Sequence, residues 1–271
     1  MFRIDVLLSL ITAVSYLGAV GNGRTRPVRL EAIDEAGQYV ETVTKFSAGC
    51  DRGVTNLAVE AICASLAVDL GLPVPEPYLV QVDRDIIDEI PDSELQNLIL
   101  ASEPLGFGSK QLPPGFFTWA LNTPIHADMI FDALGVYVFD CFIQNIDRKP
   151  KNPNCLTNGT KIGIFDHEIS LNTKGVLFWK APWETGGLDD FASPDKHIFY
   201  NGLCGSSNAA IHLHAVAERW QAISAKRIEE YGRAIPPGWQ RGNEVQDMLN
   251  YLNDLISNLD NAMAKVRRVL S

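Results

Sequence analysis

Up to about residue 110 short apolar runs alternate with turn residues, and beyond it apolar positions recur mostly at helical spacing. Residues 13–17 alternate as a strand does, and Gly18, Gly21 and Gly23 then break the chain before Pro27-Val-Arg-Leu30 resumes an extended pattern. Residues 38–46 predict a further strand that ends on Lys45-Phe46. Over 56–70, Leu57, Val59, Ile62, Cys63, Leu66, Ala67 and Leu70 give the i, i+3, i+4 spacing of a helix packed on a sheet, and Gly71, Pro73 and Pro75 end it. Residues 78–82 predict another strand, 83–101 an acidic and partly helical excursion, and 105–110, Leu-Gly-Phe-Gly-Ser-Lys, a connector to the second half.

That second half predicts a helix over 129–142 and then a hairpin, in which Asn158-Gly159 turns Cys155-Leu156 back onto residues 161–165. An aromatic, Gly-rich stretch follows over 178–205. A helix is expected over 212–231, a break at Ile235-Pro-Pro-Gly-Trp239, and a single final helix over 244–270. Val245, Leu249, Leu252, Ile256, Leu259, Met263 and Val266 make its apolar stripe, which either packs on neighbouring helices or serves a dimer contact. His212 and His214, two apart, do not share a helix face, which argues against a metal site there.

The richest chemistry lies between the 129–142 helix and the hairpin end. Asn145-Ile-Asp-Arg-Lys-Pro-Lys-Asn152 and Ile164-Phe-Asp166-His167 set two Asp and one Asn at the spacing of a phosphoryl-transfer site. In such a site one Asp accepts the substrate hydroxyl proton, an Asn five positions later holds a metal, and a second Asp holds the nucleotide-bridging metal. Asp147, Asn152 and Asp166 fit that order, and Pro150 and Pro153 keep the loop from continuing the helix. The alternative is an Asp147-Arg148 surface ion pair and a plain turn at Asp166-His167. Upstream, the Gly21 to Gly23 turn could bring backbone N–H groups to phosphates or could simply join two strands. Lys45 is either the phosphate-holding lysine of a kinase or a solvated edge residue. Glu60 either pairs with Lys45, faces solvent, or complements the dipole of its helix.

Composition narrows the field. At 271 residues and 46% hydrophobic content the chain can bury a substantial core. Its 23 basic and 33 acidic residues, net −10, argue against broad binding to nucleic acid or anionic membrane. The five cysteines, Cys50, Cys63, Cys141, Cys155 and Cys204, form no CxxC pair and suggest reduced, cytosolic core thiols. The apolar run over 6–17 is interrupted by Ser9, Thr12 and Ser15, is too short to span a membrane, and alternates over 13–17 as a strand does, which argues against a secretory leader or membrane span. Asn158-Gly159-Thr160 matches a glycosylation sequon, but the same residues serve the hairpin turn.

Several strings together resemble the HipA-like kinases, in particular the short bacterial HipA-like kinase domain proteins. They are Gly21-Asn-Gly-Arg-Thr-Arg-Pro-Val28, residues 39–46 with Lys45, Glu60, Leu70-Gly-Leu-Pro-Val-Pro-Glu-Pro77, Phe107-Gly-Ser-Lys110, Asn145-Ile-Asp-Arg148 with Asn152-Pro-Asn154, Phe165-Asp-His167 and Ile235-Pro-Pro-Gly-Trp239. The resemblance implies an α+β, two-lobed, protein-kinase-like fold. Residues 1–110 would form a smaller, β-rich, nucleotide-binding N-lobe and 111–271 a larger, mainly helical, catalytic C-lobe. It implies ATP with Mg²⁺ and transfer of the γ-phosphoryl group to Ser or Thr of a protein substrate, in the cytoplasm. By motif, Asp147, Lys45, Asn152 and Asp166 would be catalytic, with Asp147 as base and Asn152 and Asp166 on metal. Gly21, Gly23, Lys45, Glu60, Phe107 and Ser109 would face the nucleotide.

Some members of that family are toxins that answer to a partner antitoxin and phosphorylate themselves in the Gly-rich loop. Here that loop carries Thr25 and no serine, and the chain is shorter than the full-length toxins, which puts an antitoxin-like regulator and DNA association in doubt. His167 stands where protein kinases have Phe-Gly after the metal-binding Asp. A lipid or small-molecule kinase, and a nucleotide-binding pseudokinase acting as an interaction module, are the competing readings. The acidic balance argues against the lipid, and the presence of all four catalytic residues argues against the pseudokinase.

Overall fold

The computed structural model describes residues 7–21, 25–172 and 178–271, which combine sheets and helices. Contacts group the chain into two compact units. One comprises Met1–Ser65, Pro75–Leu112 and Tyr231–Gln246, the other Leu66–Val74, Pro113–Glu230 and Asp247–Ser271.

In the first unit, strands β1 (Ser9–Ala19), β2 (Val28–Ile33), β3 (Tyr39–Lys45), β4 (Pro77–Gln81) and β5 (Leu105–Lys110) close into a barrel ordered β1-β2-β3-β5-β4. Closure comes from the parallel pairing of β1 with β4, which sets Ser9 opposite Tyr78 and Thr12 opposite Gln81. Alternate side chains, Ile11 and Ala13 with Val28, Leu30 and Ala32, fill the interior, and Tyr78, Val80 and Phe46 complete it. Two short helices, α2 (Arg84–Asp88) and α3 (Ser93–Leu100), add Ile87, Leu95 and Ile99 to the same core. Helix α1 (Val54–Asp69) is buried along nearly its whole length, which is why it is apolar on all sides, with Glu60 its one buried carboxylate.

Two expectations for this unit need correction. The first strand extends well beyond residues 13–17 at both ends, because Ser9 to Thr12 are held by pairing with the distant β4, which local sequence does not show; register shifts between Ala13 and Ser15 and between Tyr16 and Gly18 mark its pairing with β2. Residues 105–110 are no connector but the strand between β3 and β4. Its glycines let neighbouring strands crowd in. A Cβ on Gly106 would stand 2.8 Å from Thr44 Cγ2 and 2.9 Å from the Lys45 carbonyl oxygen, and one on Gly108 would stand 2.5 Å from Val80 Cγ2.

The second unit is built on helix α4 (Ile130–Ile143), all but fully buried, and on a three-stranded sheet of β6 (Phe117–Thr118), β7 (Cys155–Thr157) and β8 (Ile162–Ile164). The expected hairpin is present, with Cys155 opposite Ile164. Around it lie α5 (Tyr200–Leu203), α6 (Ser207–Gln221), α7 (Ala225–Ala234), α8 (Glu244–Ser257) and α9 (Leu259–Leu270), the last residues of α7 and the first of α8 belonging to the first unit. The single helix expected over 212–231 is therefore two, because the Ser224 hydroxyl accepts the Arg227 N–H at 3.1 Å and starts α7 afresh. The final helix is also divided, at Asn258, whose φ of −111° and ψ of 17° leave the helical region. Leu249, Leu252, Leu259, Met263 and Val266 are buried on both sides of the break, so the stripe persists although the helix does not.

Within this unit Arg219 donates to the carbonyls of Leu70 and Gly71 at 2.9 and 3.1 Å, satisfying the end of α1, and its guanidinium lies 4.4 Å from the Phe131 ring centre. Arg227 grips Asp69 through two hydrogen bonds of 2.5 and 2.8 Å. All five cysteines are free, four of them buried, and burial pushes the Cys155 thiol up to about 12. Among the described residues no helix is long and apolar enough to cross a membrane. His214 Nε2 lies 3.5 Å from Glu218 Oε1 at an exposed position, and His212 meets the Phe131 ring edge-on.

Because Val80 is stiff and fully buried, Gly108→Ala should cost about 1–3 kcal/mol, read as a lower urea midpoint. Adding Val80→Ala removes the clashing methyl and should recover part of the loss. A double variant less stable than the sum of its singles would show that this clash is not the cause.

Candidate active site

In the first unit Lys45 is the last residue of β3, and its Nζ donates to Glu60 Oε1 at 2.7 Å. The two side chains are 12% and 2% exposed, so the pair forms where water cannot substitute for either partner. Of the three readings of Glu60, the pairing with Lys45 is the one the structure shows. Phe107 lies opposite Lys45 in the β3–β5 register and is buried, and Ser109, half-buried, lies opposite Val43 and Pro77. Gly21 sits at the start of the β1–β2 turn with φ of 61°, a conformation that favours glycine; Gly23 falls outside the described residues. That turn is held at its base by the Val20 N–H on the Pro27 carbonyl at 2.8 Å. Arg26 ties it to the start of α3 through ion pairs with Asp92 and Glu94, and Asp92 also caps that helix by accepting the N–H groups of Glu94 and Leu95.

In the second unit α4 ends with Gln144 in the left-handed conformation, φ 60°, the role glycine usually takes. The chain then folds back on the helix. Asn145 donates its backbone N–H to the Asp140 carbonyl at 2.9 Å and its side-chain amide to Asp140 Oδ1 at 3.1 Å, while its Oδ1 accepts the Asp147 N–H at 3.3 Å. Lys149 and Asn152 exchange backbone hydrogen bonds of 3.2 and 2.9 Å, closing a tight turn around Pro150. This brings Asn152 Nδ2 to 2.6 Å from Asp147 Oδ2, with Asn154 Nδ2 at 3.5 Å from the same oxygen and Lys149 Nζ at 3.4 Å from Oδ1.

Arg148 does not form the surface pair with Asp147 that one reading of the sequence allowed. Its side chain is fully buried, with Nε 2.5 Å from Asp140 Oδ2 and Nη2 3.2 Å from Asp140 Oδ1. The remaining donor, Nη1, reaches the Asn154 carbonyl and, at 3.3 Å, that of Phe165. One guanidinium thus joins α4, the loop after Asn152 and the residue directly before Asp166. The Phe165 N–H on the Asn154 carbonyl, 3.2 Å, adds a second link, and Asp166 itself takes φ of 61°, which Asp tolerates better than most side chains.

His197 completes the network, its Nε2 lying 3.0 Å from Asp140 Oδ2. Because its Nδ1 accepts the Phe199 N–H at 3.1 Å, the proton sits on Nε2 and is donated to Asp140, leaving the imidazole neutral. Burial pushes the His197 pKa down despite the carboxylate beside it. Burial works to raise the Asp140 carboxyl, but the Arg148 guanidinium and the His197 hydrogen bond outweigh it and hold it below the usual carboxylate range.

The structure therefore brings Lys45 to Glu60 in one unit and Asp147 to Asn152 in the other, with Asp166 tied to that loop through Arg148. Sequence reasoning gave no role to Asp140, Lys149, Asn154 and His197, and gave Arg148 only the surface pair that the structure does not show. One signal was present: an ionisable Asp140 inside the apolar run Ile130–Ile143 demands a buried partner. His197 carries no comparable signal, since it lies 57 residues from Asp140.

Removing one member of a buried pair strands the other, so Arg148→Met should cost about 3–5 kcal/mol of unfolding free energy, and Asp140→Leu in the same chain should return part of it. With His197 depressed when folded, the unfolded chain binds the extra proton first. Stability should thus fall as pH drops below about 6.5, and Asp140 should add a further loss below about pH 4. His197→Gln, which keeps a donor for Asp140, should flatten the first part of that acid limb in urea unfolding; an unchanged slope would remove His197 as its source.

Residues 20–268 match the model of the HipA-like kinase family. No curated protein sequence matches the chain. The crystal structure of the proinflammatory kinase CtkA of Helicobacter pylori superposes with a TM-score of 0.60 over 96% of this chain and 99% of that one, at 13% identity, a likeness of fold. A Golgi casein kinase crystallised with Mn/ADP is matched more loosely, TM-score 0.44 and 9% identity over 94% of this chain and 73% of that one, too loosely to bear on the fold. With its family match spanning nearly the whole sequence, the chain belongs to the HipA-like kinase family.

Proposed function

We propose that the chain is an ATP- and Mg²⁺-dependent kinase that transfers the γ-phosphoryl group to a Ser or Thr hydroxyl of a protein. The observation that carries this reading is the 2.6 Å bond from Asn152 to Asp147 in a loop anchored by a buried arginine. With its Nδ2 engaged on Asp147, the Asn152 amide presents its oxygen, and Asp166 adds a carboxylate, the hard oxygen donors that Mg²⁺ takes. The metal would neutralise charge on the phosphates.

The chain's own residues divide the remaining work. Asp147 accepts the proton of the attacking hydroxyl, its carboxylate aimed by Asn152 and Asn154. Lys149, beside that carboxylate, supplies positive charge where the transferring group develops negative charge. Lys45, fixed by Glu60, holds the nucleotide phosphates, with Gly21, Gly23, Phe107 and Ser109 on the nucleotide side. Residues 1–110 would serve the nucleotide and 111–271 the transfer. Thr25, in the Gly-rich turn, is the candidate for self-modification, and an antitoxin-like protein the candidate regulator.

Incubation with γ-labelled ATP and Mg²⁺, alone and with lysate, tests the proposal. Label should appear on protein and fall at least about a hundredfold in Asp147→Asn, which should still bind nucleotide. Asp166→Ala should lose Mg²⁺-dependent nucleotide binding. Label on a lipid or metabolite would redirect the substrate class, and nucleotide binding without any transfer would make the chain a pseudokinase. Label on the chain that persists in Thr25→Ala would exclude Thr25 as the modified residue.

A further inference from the structure

A cavity of about 450 Å³ opens in the first unit beside the start of α1, between the turn Ser47–Gly49 and residues 101–104. None of the residues assigned above to nucleotide or metal lines it. Three hydroxyls do, and two of them are nine-tenths buried: Ser47 is 7% exposed and Thr55 5%. Ser47 Oγ accepts the Glu103 N–H at 2.9 Å but gives its own proton to no acceptor among the described residues, and the Thr55 hydroxyl has no partner among them. Both hydroxyls keep donor capacity that a ligand in the cavity can take up.

The charge around these donors has one sign in excess. Arg52 lines the cavity, touches only the Asn56 side-chain oxygen, at 3.4 Å from its Nε, and has no carboxylate partner among the described residues. Arg241, opposite, is 3.0 Å from Glu103, the one acid on the walls. The 16-residue helix α1 presents its positive end here, and its first turn carries no acidic side chain. Two guanidinium groups, two hydroxyl donors and a helix start against one carboxylate make a poor cation site. They suit a compact, acceptor-rich anion.

We propose that this cavity binds a phosphate group, free or as the monoester of a phosphorylated serine or threonine in a peptide. The tetrahedral group brings three terminal oxygens and close to two negative charges, against two oxygens and one charge on a carboxylate, and so suits two guanidinium groups better. The site is independent of the kinase reading.

Calorimetric titration of the full chain at low ionic strength tests it with three probes: inorganic phosphate, a phosphoserine peptide, and the same peptide unphosphorylated. Phosphate or the phosphopeptide should bind, and Arg52→Gln and Thr55→Val should each weaken it by about tenfold or more, the loss of one charge-assisted or buried hydrogen bond. Thr55→Ser should restore binding, and Asp166→Ala should leave it unchanged. Phosphate alone binding would identify the free ion, and the phosphopeptide binding far more tightly would identify a docked monoester. The proposal fails if neither binds, if the unphosphorylated peptide binds equally well, or if Arg52→Gln and Thr55→Val keep wild-type affinity. Arg52 is exposed, so its variant folds and keeps the test decisive.

Discussion

A fully buried arginine must be surrounded by acceptors, and in the second unit that requirement organises everything near the loop after α4. Arg148 cannot shed its proton, so each of its donors has to find an oxygen inside the protein. Asp140 takes two of them, and the carbonyls of Asn154 and Phe165 take two more. Since those carbonyls flank Asn152 and Asp166 in sequence, satisfying the arginine also fixes the backbone on which the candidate catalytic groups stand. His197 then fills the remaining capacity of Asp140 as a neutral donor, which keeps the cluster from holding a second buried cation.

The first unit uses the same physics on a smaller scale. Lys45 and Glu60 pair in a place with little water, on a strand end and a buried helix. Such pairs add little net stability, because desolvation offsets their attraction. What they give is position. A lysine on a solvated strand end samples many rotamers, whereas one bonded at 2.7 Å to a buried carboxylate samples few. The cavity beside α1 is the opposite case: donors outnumber acidic groups there, with Glu103 the one carboxylate on its walls.

Glycine had two meanings in this chain that local sequence does not separate. Gly21 and Gly71 sit at positive φ, where the backbone conformation calls for glycine. Gly106 and Gly108 have ordinary strand backbones and are small because β3 and β4 leave no room for a Cβ. A Leu-Gly-Phe-Gly-Ser-Lys string reads as a loop when glycine is taken as a flexibility signal, and as a central strand only once its neighbours are known.

The sequence by itself determined the elements whose signals are local. The burial of the 56–70 helix, the hairpin turned by Asn158-Gly159, and the Asp147, Asn152 and Asp166 spacing rest on periodicity, turn chemistry and short-range order, which any isolated stretch of chain carries. The tertiary structure alone decided the closure of the barrel through β1 and β4, the strand identity of residues 105–110, and the Asp140, Arg148 and His197 network. Each of these depends on partners far away in sequence, and the energy of burying a charge or a Cβ is set by what surrounds it, not by the residues on either side.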